Sequence, residues 1–116
     1  MALAAGAWLG GARAALLMQS SGVGNCINML SLTAIMRCPL LMIVTMRGEW
    51  AEFNPWQVPM GRAVAPALEA MGVRVIRVEA EDELLDAVAS AVTLAFSADQ
   101  QVAVLLSQRF LGRKKW

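Results

Sequence analysis

Short uninterrupted apolar runs alternate along this chain with segments whose apolar residues recur every three or four positions. The two patterns predict different elements. Ala14 to Met18 and Leu40 to Thr45 are apolar runs of the length expected of strands buried on both faces, and Val102 to Leu106 is a third. Pro39 forces an extended start on the second of them. Val73 to Val78 interleaves Val and Ile with Arg74 and Arg77, which suits a strand nearer an edge. Helices are predicted between them. Met1 to Leu9 is alanine-rich and closed by Gly10-Gly11. Cys26 to Met36 turns Ile27, Leu30 and Ala34 inward, with Met29 and Ile35 beside them. A third helix covers about Val64 to Met71, with Pro66 tolerable only near its first turn. The last runs from the acidic start Glu81-Asp82-Glu83 to about Phe96. Helix and strand in strict alternation imply a parallel sheet with right-handed crossovers and helices on both faces, a three-layer α/β fold.

Two segments break this rhythm, and both follow strands. In Met18-Gln-Ser-Ser-Gly-Val-Gly-Asn25, polar residues end the first strand and Gly22 and Gly24 supply freedom for a sharp turn. Asn25 offers a side-chain oxygen to cap the next helix. A buried strand, a glycine turn and a helix start together place free backbone N–H groups at the carboxyl end of a sheet, where open α/β folds bind ligands. Arg47 to Gly61 reads as one long loop leaving the second strand, and Trp50, Phe53 and Trp56 argue that it is ordered by burial. Arg47 stands at that strand's carboxyl end. Its guanidinium either grips a carboxylate, sulfonate or phosphonate in a bidentate fashion, or anchors the loop through Glu49 or Glu52.

Composition narrows the classes. At 116 residues the chain is at most one domain. It is 58% hydrophobic before glycine is counted, above the usual ~45–50% that includes it, and 16% charged. Either the core is tightly packed, or apolar faces remain for another subunit or a missing part of the same chain to cover. A net charge of +1 argues against a nucleic-acid binder, and the basic residues Arg109, Arg113, Lys114 and Lys115 read as a solvated tail. No uninterrupted apolar run reaches the ~18–20 residues that span a bilayer, and the N-terminus lacks a basic signal region, so a cytoplasmic protein is expected. With no histidine, a Ser–His pair and a His-liganded metal are excluded. Cys26 and Cys38 fit no zinc or redox spacing. Gly22-Val-Gly24 lacks the third glycine of a dinucleotide fingerprint.

Taken together, the two loops resemble those of the pyrimidine-binding (PYR) domain of thiamine-diphosphate-dependent decarboxylases, most like the alpha subunits of sulfopyruvate and phosphonopyruvate decarboxylase. The resemblance is carried by Ala4-Ala-Gly-Ala-Trp-Leu-Gly-Gly11, by Met18 to Asn25, by Arg47-Gly-Glu-Trp50 through Pro59-Met-Gly61, and by Val104-Leu-Leu-Ser-Gln108. It covers essentially the whole chain and implies a single PYR-type domain, residues 1–116, without its first strand and helix. It further implies that thiamine diphosphate binds between this chain and a PP-type (beta) subunit that holds the diphosphate through Mg2+. The expected assembly is a hetero-oligomer acting on a small anionic 2-oxo acid, with this chain inactive alone. Gln19, Ser21, Gly22, Gly24 and Asn25 are the implied cofactor-side residues, and Arg47 and Gln57 the substrate-side ones.

Two departures from the family pattern qualify this expectation. The activating glutamate of relatives lies just before the Ala-Ala-Gly segment, a point upstream of Met1, so none of the residues present is expected to be catalytic. Either the true start lies further upstream, or the chain is a fragment, or it is an inactive assembly module that pairs with a PP-type subunit. Some relatives carry Pro-Gln-His where this chain has Pro55-Trp56-Gln57, and a glutamine cannot shuttle a proton near neutral pH.

Overall fold

The computed structural model describes residues 1–113; Lys114 and Lys115 of the expected basic tail lie outside the described residues. The elements run α1 (Ala2–Leu9), β1 (Ala15–Gln19), α2 (Ser20–Gly24), α3 (Ile27–Ile35) and β2 (Leu40–Thr45). There follow α4 (Val58–Ala70), β3 (Arg74–Val78), α5 (Leu84–Phe96), β4 (Gln101–Leu106) and α6 (Gln108–Leu111). The four strands form one parallel sheet in the order β1-β2-β4-β3. This is the predicted α/β fold, consistent with a PYR-type domain, and β3 is the edge strand its arginines suggested.

Handedness explains where each helix lies. The crossovers from β1 to β2 and from β2 to β3 advance in one direction across the sheet, and right-handed connections put their helices on one face. The return from β3 to β4 reverses direction and sends α5 to the other face. The core divides accordingly. Val23, Leu30, Val64 and Leu68 from α2, α3 and α4 pack on Leu40, Met42, Val44 and Leu105. Ala91 and Ala95 of α5 pack on Leu41, Val78, Val102 and Val104 on the opposite side. The central strands β2 and β4 are covered on both faces, which is why they read as unbroken apolar runs. β1 is covered on one face only, leaving Leu17 exposed. Among the described residues no helix is long and apolar enough to cross a membrane.

Several local expectations are corrected. The Gly22–Gly24 segment is not a sharp turn but the short helix α2, and Asn25 ends α2 instead of capping α3. In α3, Leu30 is buried as expected, but Thr33 takes the inner position while Ala34 and Ile35 face out. The Thr33 hydroxyl donates to the Leu30 carbonyl at 3.0 Å, and lies 3.0 Å from Gln101 Oε1. Its burial is therefore satisfied by hydrogen bonds that no apolar pattern registers. The Arg47 loop is shorter than predicted. The Asn54 side chain accepts from the Trp56 N–H to start a 3₁₀ turn at Pro55–Gln57, and α4 continues from Val58. Pro55 and Pro59 thus sit in first turns, where a missing N–H costs nothing, while Pro66 lies in the interior of α4.

Candidate functional site

β2 and β4 are neighbours whose exits diverge. The chain leaving β2 crosses to the α4 face, whereas α6 after β4 turns Phe110 onto the α5 face. Adjacent strands with exits to opposite faces open a crevice at their carboxyl ends. A cavity of about 260 Å³ lies there, lined by Gln19, Thr45, Met46, Arg47, Gln108, Leu111 and Gly112.

The walls are built from both loops. The Ser20 hydroxyl, fully buried at the start of α2, accepts the Arg47 backbone N–H at 3.1 Å and ties the end of β1 to the end of β2. Gln19 Nε2 donates to Ser21 Oγ at 3.1 Å and to Gln57 Oε1 at 3.3 Å. The Arg47 loop also touches its own continuation through glycine. Gly48 has φ +78°, and a Cβ on it would lie 2.2 Å from the Gln57 carbonyl oxygen. A Cβ on Gly61 would lie 2.2 Å from the carbonyl oxygen of Arg47. Only glycine at both positions lets the loop lie flat on the start of α4.

Electrostatics fixes the loop's interior. Arg47 Nε and Nη2 donate to the two Glu52 oxygens at 2.6 and 2.5 Å, with both side chains nearly excluded from solvent. The Phe53 ring lies 5.2 Å from the guanidinium carbon. The Arg47 hydrogen bonds hold the Glu52 carboxyl far below the usual carboxylate range against the opposing effect of burial, and the backbone N–H groups of Asn54 and Gly48 and the Gln108 amide add to this. Glu52 in turn raises the Arg47 pKa. Gln108, only 2% exposed, closes the cluster: its Oε1 accepts the Glu49 and Trp50 N–H groups at 2.9 and 3.1 Å, and its Nε2 donates to Glu52 at 3.0 Å. Glu49 is held by Arg77 through contacts of 2.7 and 3.0 Å, which raise the Arg77 pKa.

Of the residues singled out in the sequence, Gln19 and Arg47 meet at the cavity, Gln57 touches Gln19, and Ser21 accepts from it. Gly22, Gly24 and Asn25 do not line it. Gly24 instead gives room to Met60, whose sulfur would lie 3.0 Å from an added Cβ, and Asn25 is exposed. Of the two anchors expected for Arg47, Glu52 is the one that pairs with it, while Glu49 pairs with Arg77; Thr45 and Gln108 were not singled out. Only their positions at or after strand ends could have marked them.

No protein-family model matches the chain. It is 36% identical over 111 residues to the alpha subunit of sulfopyruvate decarboxylase from Methanococcus maripaludis, an alignment covering 95% of this chain and 66% of that protein. Its identity to the same subunit from Methanothermobacter thermautotrophicus is 37% over 105 residues, covering 90% and 64%. The chain is a homologue of sulfopyruvate decarboxylase alpha subunits. A phosphonopyruvate decarboxylase from Streptomyces viridochromogenes shares 43% identity over 70 residues, 59% of this chain and 18% of that protein. The chain spans just under two thirds of the length of the curated alpha subunits it matches. Because the similarity to those subunits runs over nearly all of the chain, it takes in both walls of the cavity.

Proposed function

We propose that this chain provides the PYR side of a thiamine-diphosphate-dependent 2-oxo acid decarboxylase, acting on sulfopyruvate or a phosphonopyruvate-like substrate in the cytoplasm and completed by a PP-type subunit. The observation that carries the reading is the cavity between β2 and β4, where Gln19 and Arg47 converge in a homologue of decarboxylase alpha subunits. Its volume of about 260 Å³ suits one heteroaromatic ring but not a whole coenzyme, for which sites of roughly 300–1,000 Å³ are usual. The lining suits such a ring as well. Met46 and Leu111 offer apolar contact, and the Gln19 amide, whose two N–H groups go to Ser21 and Gln57, keeps its oxygen to accept from a ring N–H or amino group. Magnesium and the diphosphate fall to the PP-type subunit.

Bound there, thiamine diphosphate supplies an electron sink for the pair released when carbon dioxide leaves a 2-oxo acid. This chain's residues orient and enclose. Gln19, steadied by Gln57, would set the ring's rotation. Arg47 keeps one nitrogen, Nη1, outside its pair with Glu52, and that nitrogen would donate to a carboxylate, sulfonate or phosphonate oxygen. Thr45 and Gln108 complete a wall that a facing subunit would close against water.

One observation favours the second reading, an assembly module without turnover. Among the described residues no carboxylate lines the cavity, and Glu49 and Glu52 are both committed to arginines. The two readings separate in one experiment. The chain is mixed with a PP-type subunit, thiamine diphosphate and magnesium, and carbon dioxide release from sulfopyruvate and phosphonopyruvate is followed. Turnover by the mixture and none by the chain alone supports the enzymatic reading. A stable complex without turnover supports the module. If neither complex nor turnover forms, both are lost.

A further inference from the structure

We infer that Gln108 is a positioning residue whose side-chain amide sets the Arg47 loop and the Glu52 carboxylate, so that Arg47 meets a small anionic ligand with one fixed edge of its guanidinium. This rests on the reading of Arg47 as a ligand-binding residue.

The loop from Arg47 to Asn54 has no strand partner, so its shape must come from other hydrogen bonds. Gln108 supplies them from the far end of the chain. Its oxygen accepts two successive N–H groups, from Glu49 and Trp50, and its nitrogen donates to Glu52. Glu52 then gathers the loop around itself, accepting from the Gly48 and Asn54 N–H groups at 3.1 and 3.0 Å as well as from Arg47. With Nε and Nη2 held by Glu52 and the ring of Phe53 against the guanidinium, Arg47 can turn neither edge nor face without breaking this set. Among the described residues no buried side-chain polar atom of the network lacks a partner.

The amide chemistry is specific. A glutamate at 108 would still accept both loop N–H groups, but it would set a second carboxylate about 3.0 Å from Glu52 and donate nothing. A methionine would fill the same volume and do neither. A residue that merely filled space would tolerate both changes. One that positions Arg47 would not.

The test uses Gln108→Met and Gln108→Glu. On the whole chain alone, Gln108→Met is expected to speed hydrogen exchange at the Glu49 and Trp50 amides at least ~10-fold, while Gln108→Glu keeps them protected. The Arg47 Nε–H resonance should move in Gln108→Glu. In the assembly with a PP-type subunit, Gln108→Glu should raise KM for sulfopyruvate ~10-fold, within the range of pairwise couplings, with kcat little changed. Unchanged exchange in Gln108→Met overturns the inference, as does an equal fall in kcat in both variants with KM unchanged. Wild-type assemblies without turnover would count against the enzymatic reading alone, because exchange and the Arg47 resonance still decide the role of Gln108.

Discussion

Replacing Gly61 by alanine should destabilise this protein, although helix propensity alone predicts the reverse. Gly61 lies inside α4, where exchanging glycine for alanine normally gains about 1 kcal/mol. Here the added Cβ would stand 2.2 Å from the Arg47 carbonyl oxygen and 3.1 Å from the Gly48 carbonyl carbon and Cα. Carbon–oxygen contacts settle near ~3.3 Å, so the loop and the helix must part by about 1 Å. Overpacking costs ~1–3 kcal/mol, and a backbone oxygen has no rotamer into which to escape, which places this case near 3. The net loss is then about 2 kcal/mol, a fall in Tm of roughly 8 °C for a domain of this size. Two companions isolate the cause. Gly72→Ala has φ +78° but nothing within 4 Å, so it should lose only the ~1–2 kcal/mol of a left-handed backbone. Gly48→Ala combines the same φ with a Cβ 2.2 Å from the Gln57 oxygen, and should lose about 4 kcal/mol or more. Thermal and urea unfolding of the three variants give the ranking. A Gly61→Ala protein as stable as wild type, or a Gly48→Ala protein no worse than Gly72→Ala, would refute the close approach of loop and helix.

Other consequences are open to simple measurements. Because Arg47 holds the Glu52 pKa down, the stability from this pair is fully present above the unfolded carboxylate pKa of ~4.3 and is lost as pH falls below it. The wild-type Tm should therefore drop more steeply than that of Glu52→Gln below about pH 4; parallel curves would show that the pair contributes nothing. At pH 7 Glu52→Gln should lower the unfolding free energy by about 3 kcal/mol, since it strips a nearly buried guanidinium of its counter-charge, and a urea midpoint near wild type would contradict this. Pro66 interrupts the interior of α4, so Pro66→Ala should raise the urea midpoint by the equivalent of about 1 kcal/mol or more, and no gain would mean that the ring's packing offsets the missing hydrogen bond. Trp56 is 84% exposed, so Trp56→Ser should leave stability within ~0.5 kcal/mol while weakening the complex with a PP-type subunit; undiminished binding would place that interface elsewhere.

The sheet was legible because its signals are local. β2 and β4 are continuous apolar runs as a consequence of burial on both faces, and the arginines of β3 mark the edge. The start of α4 was not legible, because Pro55, Pro59 and Gly61 are punctuation in sequence statistics but first-turn and close-contact residues in space. Neither was α2, whose glycines serve helix packing instead of a turn, nor α6, a single turn capped by Ser107. Within the site, Gln19 and Arg47 could be found because strand ends predict where ligands bind. Glu52 could be found as an anchor for Arg47, but its link to Gln108 could not, because that depends on the pairing register between β2 and β4 across more than fifty residues.

That register also imposes an order in time. The residue that holds the Arg47 loop belongs to α6, the last described helix, and it reaches the loop only once β4 has slotted between β2 and β3. A ribosome must therefore have released the chain past α6 before the cavity can take shape. Until then the guanidinium and its carboxylate sit on an unfastened segment, and any early encounter with another protein meets a surface that has yet to acquire its final form.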